Sequence, residues 1–208
     1  MKNKNINKKD WANDLQFRIN CISVFILIYE VFEDKIEENI RDFYSTGFYF
    51  KDGKYHDHIG AEYLKLIEKD KMKNLINWCL ENDIFDENDC NTLKTITDAR
   101  NNYVHEFYKS LIFDSSLDLD LLQSLVSLFN KFDNWWIKNV EAATDVDTPP
   151  NANLDLAHSY TCIIINAIVK SLLNNEKEVF DKLFDMISKG INDYDILIDL
   201  LYTPKIKD

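Results

Sequence analysis

Apolar residues recur at helical spacing along most of this chain. Trp11, Leu15, Ile19, Ile22, Ile26, Tyr29 and Ile36 form one stripe with no glycine or proline to break it, which predicts a long first helix from about Asp10 to Phe43. The segment Gly47 to Gly60 then carries three of the four glycines beside Phe48, Tyr49 and Phe50, the composition of a loop or short hairpin. Helical spacing returns from Ala61 to Glu81 through Leu64, Ile67, Leu75, Ile76 and Cys79, with Asp70 a candidate break. Asp86, followed three residues later by Asp89, is an N-cap signal for a helix from Glu87 to Ile112. In that helix Leu93, Ile96, Tyr103, Val104, Phe107 and Leu111 are expected to point inward, leaving Asp98, Asn101, His105 and Tyr108 as a polar stripe.

Ser115, Ser116 and Asp118 mark a turn before a helix from Leu117 to Val140, whose apolar positions include Leu122, Leu125, Phe129, Phe132, Trp135 and Trp136. One of the two adjacent tryptophans can enter the core while the other faces a partner or the C-terminal module, and core packing is the default for both. Glu141 to Asn153, with Pro149 and Pro150, reads as a linker. Beyond it, Leu154 to Leu173, Glu176 to Ser188 and Asp193 to Tyr202 are expected as shorter helices, with Gly190 as a stop. The expected organisation is an all-α bundle over 1–140, a linker over 141–153, and a C-terminal helical extension over 154–208.

Composition narrows this picture. With 208 residues, 46% hydrophobic, and only 4 Gly and 3 Pro, the chain can bury a core built from helices with few tight turns. Its formal charge of -12 argues against broad, non-specific nucleic-acid binding, which needs clustered Lys and Arg, but it leaves room for a local site. The basic start is interrupted by Asp10 and Asp14 and lacks the layout of a signal peptide, and the apolar run Cys21 to Phe32 is too short to span a bilayer. Cys21, Cys79, Cys90 and Cys162 are scattered without paired spacing, as expected of reduced thiols. Together these features point to a cytoplasmic protein without a membrane partner.

The candidate chemistry lies in Arg100, Asn101, Asn102, Tyr103, Val104 and His105. At about 100° per residue, Asn101 and His105 lie about 40° apart on one face, while Arg100 and His105 lie roughly 140° apart. The two ends therefore converge only through a local break, the long arginine stem, or a second copy of the chain. His105 can act as a general base, Arg100 can hold a phosphate through its planar fork, and Asn101 can orient the imidazole or bind substrate. Tyr103 and Tyr108 can stack on a base, and Asn102 can contact substrate.

The spelling R-N-x-x-x-H resembles the motif of HEPN domains, a helical nucleotide-binding superfamily in which arginine, a polar residue and then histidine lie on a late helix of a four- or five-helix bundle. The helical context from Lys9 to Val140 fits. The resemblance implies catalytic roles for Arg100, Asn101 and His105. It also implies a metal-independent, cofactor-free endoribonuclease that acts as a homodimer. Such proteins serve as toxins or abortive-infection effectors against phage, restrained by an antitoxin or other regulatory protein. A toxin branch carries a tyrosine two residues after the histidine, where an antitoxin attaches AMP. Phe107 stands there in this chain and Tyr108 follows, so that mode of control is not carried over.

The runner-up reading is a non-catalytic helical module that binds a partner or a nucleotide. Two weaker clusters are also present. His56, Asp57 and His58 offer two metal ligands without an identifiable third, and His158 and Cys162 share a helix face, where the apolar neighbours Leu154, Ile165 and Val169 favour plain core packing. No Walker loop, G-x-G-x-x-G or G-x-S-x-G occurs.

Overall fold

The computed structural model describes residues 8–112, 118–149, 152–155 and 157–174, apart from the side chains of 8–12, 108, 110, 112 and 174. The fold is all-α with one two-stranded hairpin among the described residues. The expected Ser115–Ser116 turn and the helices over 176–188 and 193–202, with Gly190, lie outside the described residues.

The first helix, α1 (Lys8–Phe43), is 36 residues long. Ile22, Phe25, Tyr29, Phe32, Ile36 and Ile40 repeat at steps of three or four, fall on one side, and are each at most 3% exposed. The run Cys21–Phe32 is too short to span a bilayer, but the whole helix contains an 18-residue window of mean hydropathy 1.5 and is, by length and composition, long and apolar enough to cross one. Its apolar stripe is, however, the seam of the bundle, and one third of the window is buried.

Strands β1 (Ser45–Lys51) and β2 (Lys54–Ile59) pair antiparallel around Asp52 and Gly53, whose φ values of +52 and +78 suit a two-residue turn of the type that Asp-Gly favours. The hairpin projects from the bundle, leaving Phe48, Phe50 and Tyr55 exposed. Helix α2 (Ala61–Leu66) ends before Asp70, which takes a left-handed conformation and starts α3 (Lys71–Glu81). The break expected near Asp70 is therefore present.

Helix α4 (Glu87–His105) starts in a reciprocal capping box. The Asp86 carboxylate accepts from the Asp89 N–H at 2.9 Å, and the Asp89 carboxylate accepts from the Asp86 N–H at 3.0 Å. The expected continuous helix to Ile112 is interrupted at Glu106, which leaves helical geometry at φ -122 and ψ 29, and α5 (Phe107–Ile112) begins anew. As a consequence Val104 and Phe107, expected inside, are 44% and 39% exposed. Helix α6 (Leu119–Trp136) is capped by Asp118, which accepts from the Leu121 N–H at 3.0 Å. It continues through a wide π turn over Ile137–Glu141 into a short α7 (Ala142–Thr144).

Residues 152–155 and 157–159 are not helical, and α8 begins only at Tyr160, running to Asn174. Asn134 of α6 holds the preceding stretch, its amide donating to the carbonyls of Leu154 at 2.9 Å and Ala157 at 2.8 Å. Cys162, Ile165 and Val169 of α8 join the same hydrophobic cluster as α1, α4 and α6.

Phe32 sits at the centre, 5.3 Å from Phe129 and 6.2 Å from Phe132 between ring centres. Phe132 stacks on Trp136 at 5.8 Å, and both Trp135 and Trp136 pack against Trp78. Neither tryptophan is left as a free outward anchor. Phe132 is 0% exposed, so Phe132→Ala should cost about 3–5 kcal/mol. Urea unfolding monitored by circular dichroism should show a lowered midpoint with an unchanged slope.

Candidate nucleic-acid site at the end of α4

Arg100 and Asn101 are brought together, while Arg100 and His105 point to different surroundings. Arg100 turns back across α1. Its Cζ lies 5.5 Å from the centre of the Tyr29 ring, and Nε donates to Glu30 Oε1 at 2.8 Å, with Nη2 on the same oxygen. Nη1 donates to Asn101 Oδ1 at 3.1 Å. The Glu30 hydrogen bond raises the already high pKa of Arg100, so the guanidinium is permanently charged.

His105 is the last residue of α4, exposed, and held by no hydrogen bond or ion pair among the described residues. Its position one turn after Asn101 places both on one helix face, and the interruption at Glu106 leaves the imidazole at an open helix end. Val104 and Phe107 expose apolar surface beside it. Asn102 is exposed, and its backbone carbonyl accepts from the Glu106 N–H at 2.8 Å. Lys109 pairs with Glu106 at 2.8 Å.

Tyr103 corrects one expectation. It is 7% exposed, and its ring meets Phe25 edge-on at 5.3 Å, so its faces belong to the core and cannot stack on a base. The Tyr108 side chain lies outside the described residues.

Sequence spacing missed the support beneath Arg100. Tyr29, Glu30 and Glu33 come from α1, about seventy positions upstream, where Tyr29 and Glu33 stand one turn apart. The Tyr29 hydroxyl donates to Glu33 Oε1 at 2.6 Å and lies 3.1 Å from Thr97 Oγ1. Burial, reinforced by the Glu33 hydrogen bond, pushes Tyr29 up to about 12. Burial likewise lifts Glu33 above the ordinary carboxylate range, against the opposing Tyr29 hydrogen bond. These residues border a cavity of about 480 Å³ between α1, α3 and α4, with Ile76, Leu93, Lys73 and Lys94 in its lining.

The two weaker clusters separate. In the hairpin, His56 stacks on Tyr49 at 5.4 Å and His58 Nδ1 lies 2.7 Å from Thr46 Oγ1, so the two imidazoles are engaged with other partners. His158 and Cys162 do meet, together with Asp133 of α6. No family model, curated protein or solved structure matches this chain.

Two outcomes test this geometry. The Arg100–Glu30 pair is partly solvated, the side chains being 26% and 45% exposed, so Glu30→Ala should change stability by less than about 1 kcal/mol in chemical denaturation. Because Glu33 has a raised native pKa, the folded state holds its proton to higher pH than the unfolded chain does. Stability is therefore lost as pH rises from the ordinary carboxylate range through the raised native value. Glu33→Gln should remove that loss, stabilising the protein at neutral pH and leaving it unchanged at acid pH, as read from thermal unfolding across the pH range.

Proposed function

We propose that the chain is a metal-independent endoribonuclease of the HEPN type, working in the cytoplasm as a homodimer and serving as a toxin or antiviral effector. The observation that carries this reading is His105, exposed and without a hydrogen-bond or ion-pair partner among the described residues, at the open end of α4, one turn from an Asn101 that is itself bonded to a fixed Arg100. Within one copy Arg100 is drawn inward to α1 and His105 faces out. A second copy resting on the apolar surface of Val104 and Phe107 would bring the two motifs together and complete each site.

In that site His105 takes the proton of the ribose 2′-hydroxyl, whose oxygen attacks the adjacent phosphorus. The bond to the 5′-oxygen breaks, leaving a 2′,3′-cyclic phosphate, and the 5′-oxygen departs as a hydroxyl with a proton taken from water. Arg100 offsets the charge that grows on the phosphoryl oxygens, and Asn101 keeps the guanidinium aimed. Glu30 competes for that guanidinium, which favours cleavage only where a bound phosphate displaces it. Such competition suits a chain of net charge -12 whose activity a trigger or regulatory partner controls.

A second reading has its own support. Arg100 is already paired, and the adjacent cavity of about 480 Å³ offers apolar walls with Lys73 and Lys94, features of a non-catalytic module that binds a partner or a nucleotide.

Wild type and His105→Ala should be incubated with total cellular RNA in EDTA, and the new ends mapped. The ribonuclease reading expects cleavage by wild type that falls at least a hundredfold in the variant, with helix content and dimer size unchanged. Equal cleavage by both proteins removes His105 as base, and no cleavage by a folded wild-type dimer favours the binding module.

A further inference from the structure

Between α6 and the start of α8, three groups with metal-ligand chemistry meet at one buried point. Asp133, His158 and Cys162 each offer a ligand atom, and these atoms lie within 4.8 Å of one another. His158 Nδ1 is 3.4 Å from Asp133 Oδ2 and 3.5 Å from Cys162 Sγ. With zinc bonds of about 2.0–2.2 Å to nitrogen and oxygen and about 2.3 Å to sulfur, neighbouring corners of a tetrahedron stand roughly 3.3–3.6 Å apart. Both measured edges fall in that range.

One ring nitrogen, Nδ1, faces both the thiol and the carboxylate, and the thiol donates its own proton to Asn130 Oδ1 at 2.9 Å. A nucleophilic relay is excluded by the same geometry, since it needs thiol and carboxylate on opposite ring nitrogens.

Charge points the same way. Asp133 is 1% exposed and is the one buried charged side chain among the described residues. A divalent cation with one carboxylate, one thiolate and a neutral imidazole sums to zero, which relieves the cost of a desolvated carboxylate. The carboxylate is already oriented, because Ser159 donates its N–H to Oδ2 at 2.7 Å and its hydroxyl to Oδ1 at 2.5 Å. Outer hydrogen bonds of this kind fix metal ligands in place.

We propose that Asp133, His158 and Cys162 form a structural Zn²⁺ site that fastens the non-helical segment before α8 to α6. Metal binding replaces the Cys162 thiol proton, which in the metal-free chain is donated to Asn130 Oδ1 at 2.9 Å. With Cys162 at 0% exposure and the His158 side chain at 10%, the site is closed to substrate, and its role is to hold the fold.

The test uses the full chain, stripped with EDTA, desalted, and titrated with Co²⁺. The expected result is a thiolate-to-cobalt charge-transfer band with visible d–d bands, saturating at about one equivalent and displaced by Zn²⁺. Zn²⁺ should raise the Tm of the stripped wild type but not that of Cys162→Ser, and His158→Gln should weaken Co²⁺ binding at least about tenfold. Should Cys162→Ser fail to fold, the wild-type charge-transfer band and the His158→Gln titration still decide. A folded wild type with no cobalt bands and no Zn²⁺-dependent Tm overturns the site. A spectrum that persists in folded Cys162→Ser also overturns it, by placing the metal elsewhere.

Discussion

Everything else in the molecule leans on the buried stripe of α1. An isolated 36-residue helix has no way to hide Phe25, Phe32, Ile36 and Ile40 from water, and the bundle exists because α3, α4, α5, α6 and α8 cover that stripe. The aromatic cluster of Phe32, Phe85, Phe129, Phe132 and Trp136 is the densest part of the cover. The stripe also sets the candidate site. Tyr29 lies inside the seam and Glu30 at its edge, so a helix packed there brings Arg100 over one and against the other.

Legibility in the sequence followed the range of the forces involved. Helices α1 and α6 were readable because their apolar positions repeat at helical spacing, and the start of α4 because Asp86 and Asp89 bond to each other's backbone within one turn. The interruption at Glu106 was not readable, having neither glycine nor proline to announce it. The late start of α8 was hidden for another reason: Asn134, which anchors the carbonyls of Leu154 and Ala157, lies twenty positions away or more. The fold is all-α as read, and the segment after the linker, as far as Asn174, shares the bundle's core.

For the candidate site, the local half was visible and the distant half was not. Arg100, Asn101 and His105 could be picked out by type and spacing, and the 140° divergence of the two ends on an ideal helix, roughly, matches their different surroundings in the fold. Glu30, Tyr29 and Glu33 had no sequence signal linking them to Arg100. Tyr103 shows how one position invites two readings, since an aromatic at helical spacing fits either the core or a base, and its contact with Phe25 assigns it to the core. The pairing of His158 with Cys162 was likewise visible at a spacing of four, whereas Asp133 entered only through the packing of α6 on α8.

The ribonuclease reading rests on two copies sharing their motifs, and a mixed dimer addresses that most directly. Arg100→Ala and His105→Ala chains, each inactive alone, would be co-expressed and the heterodimer purified through two different tags. In that heterodimer one shared site has both Arg100 and His105 intact and the other has neither. Recovery of RNA cleavage to about half the wild-type rate per dimer is the expected result if the sites are built across the two-fold axis. A heterodimer as inactive as its parents, while wild type cleaves, would contradict the shared site and return Arg100 and His105 to work within a single chain.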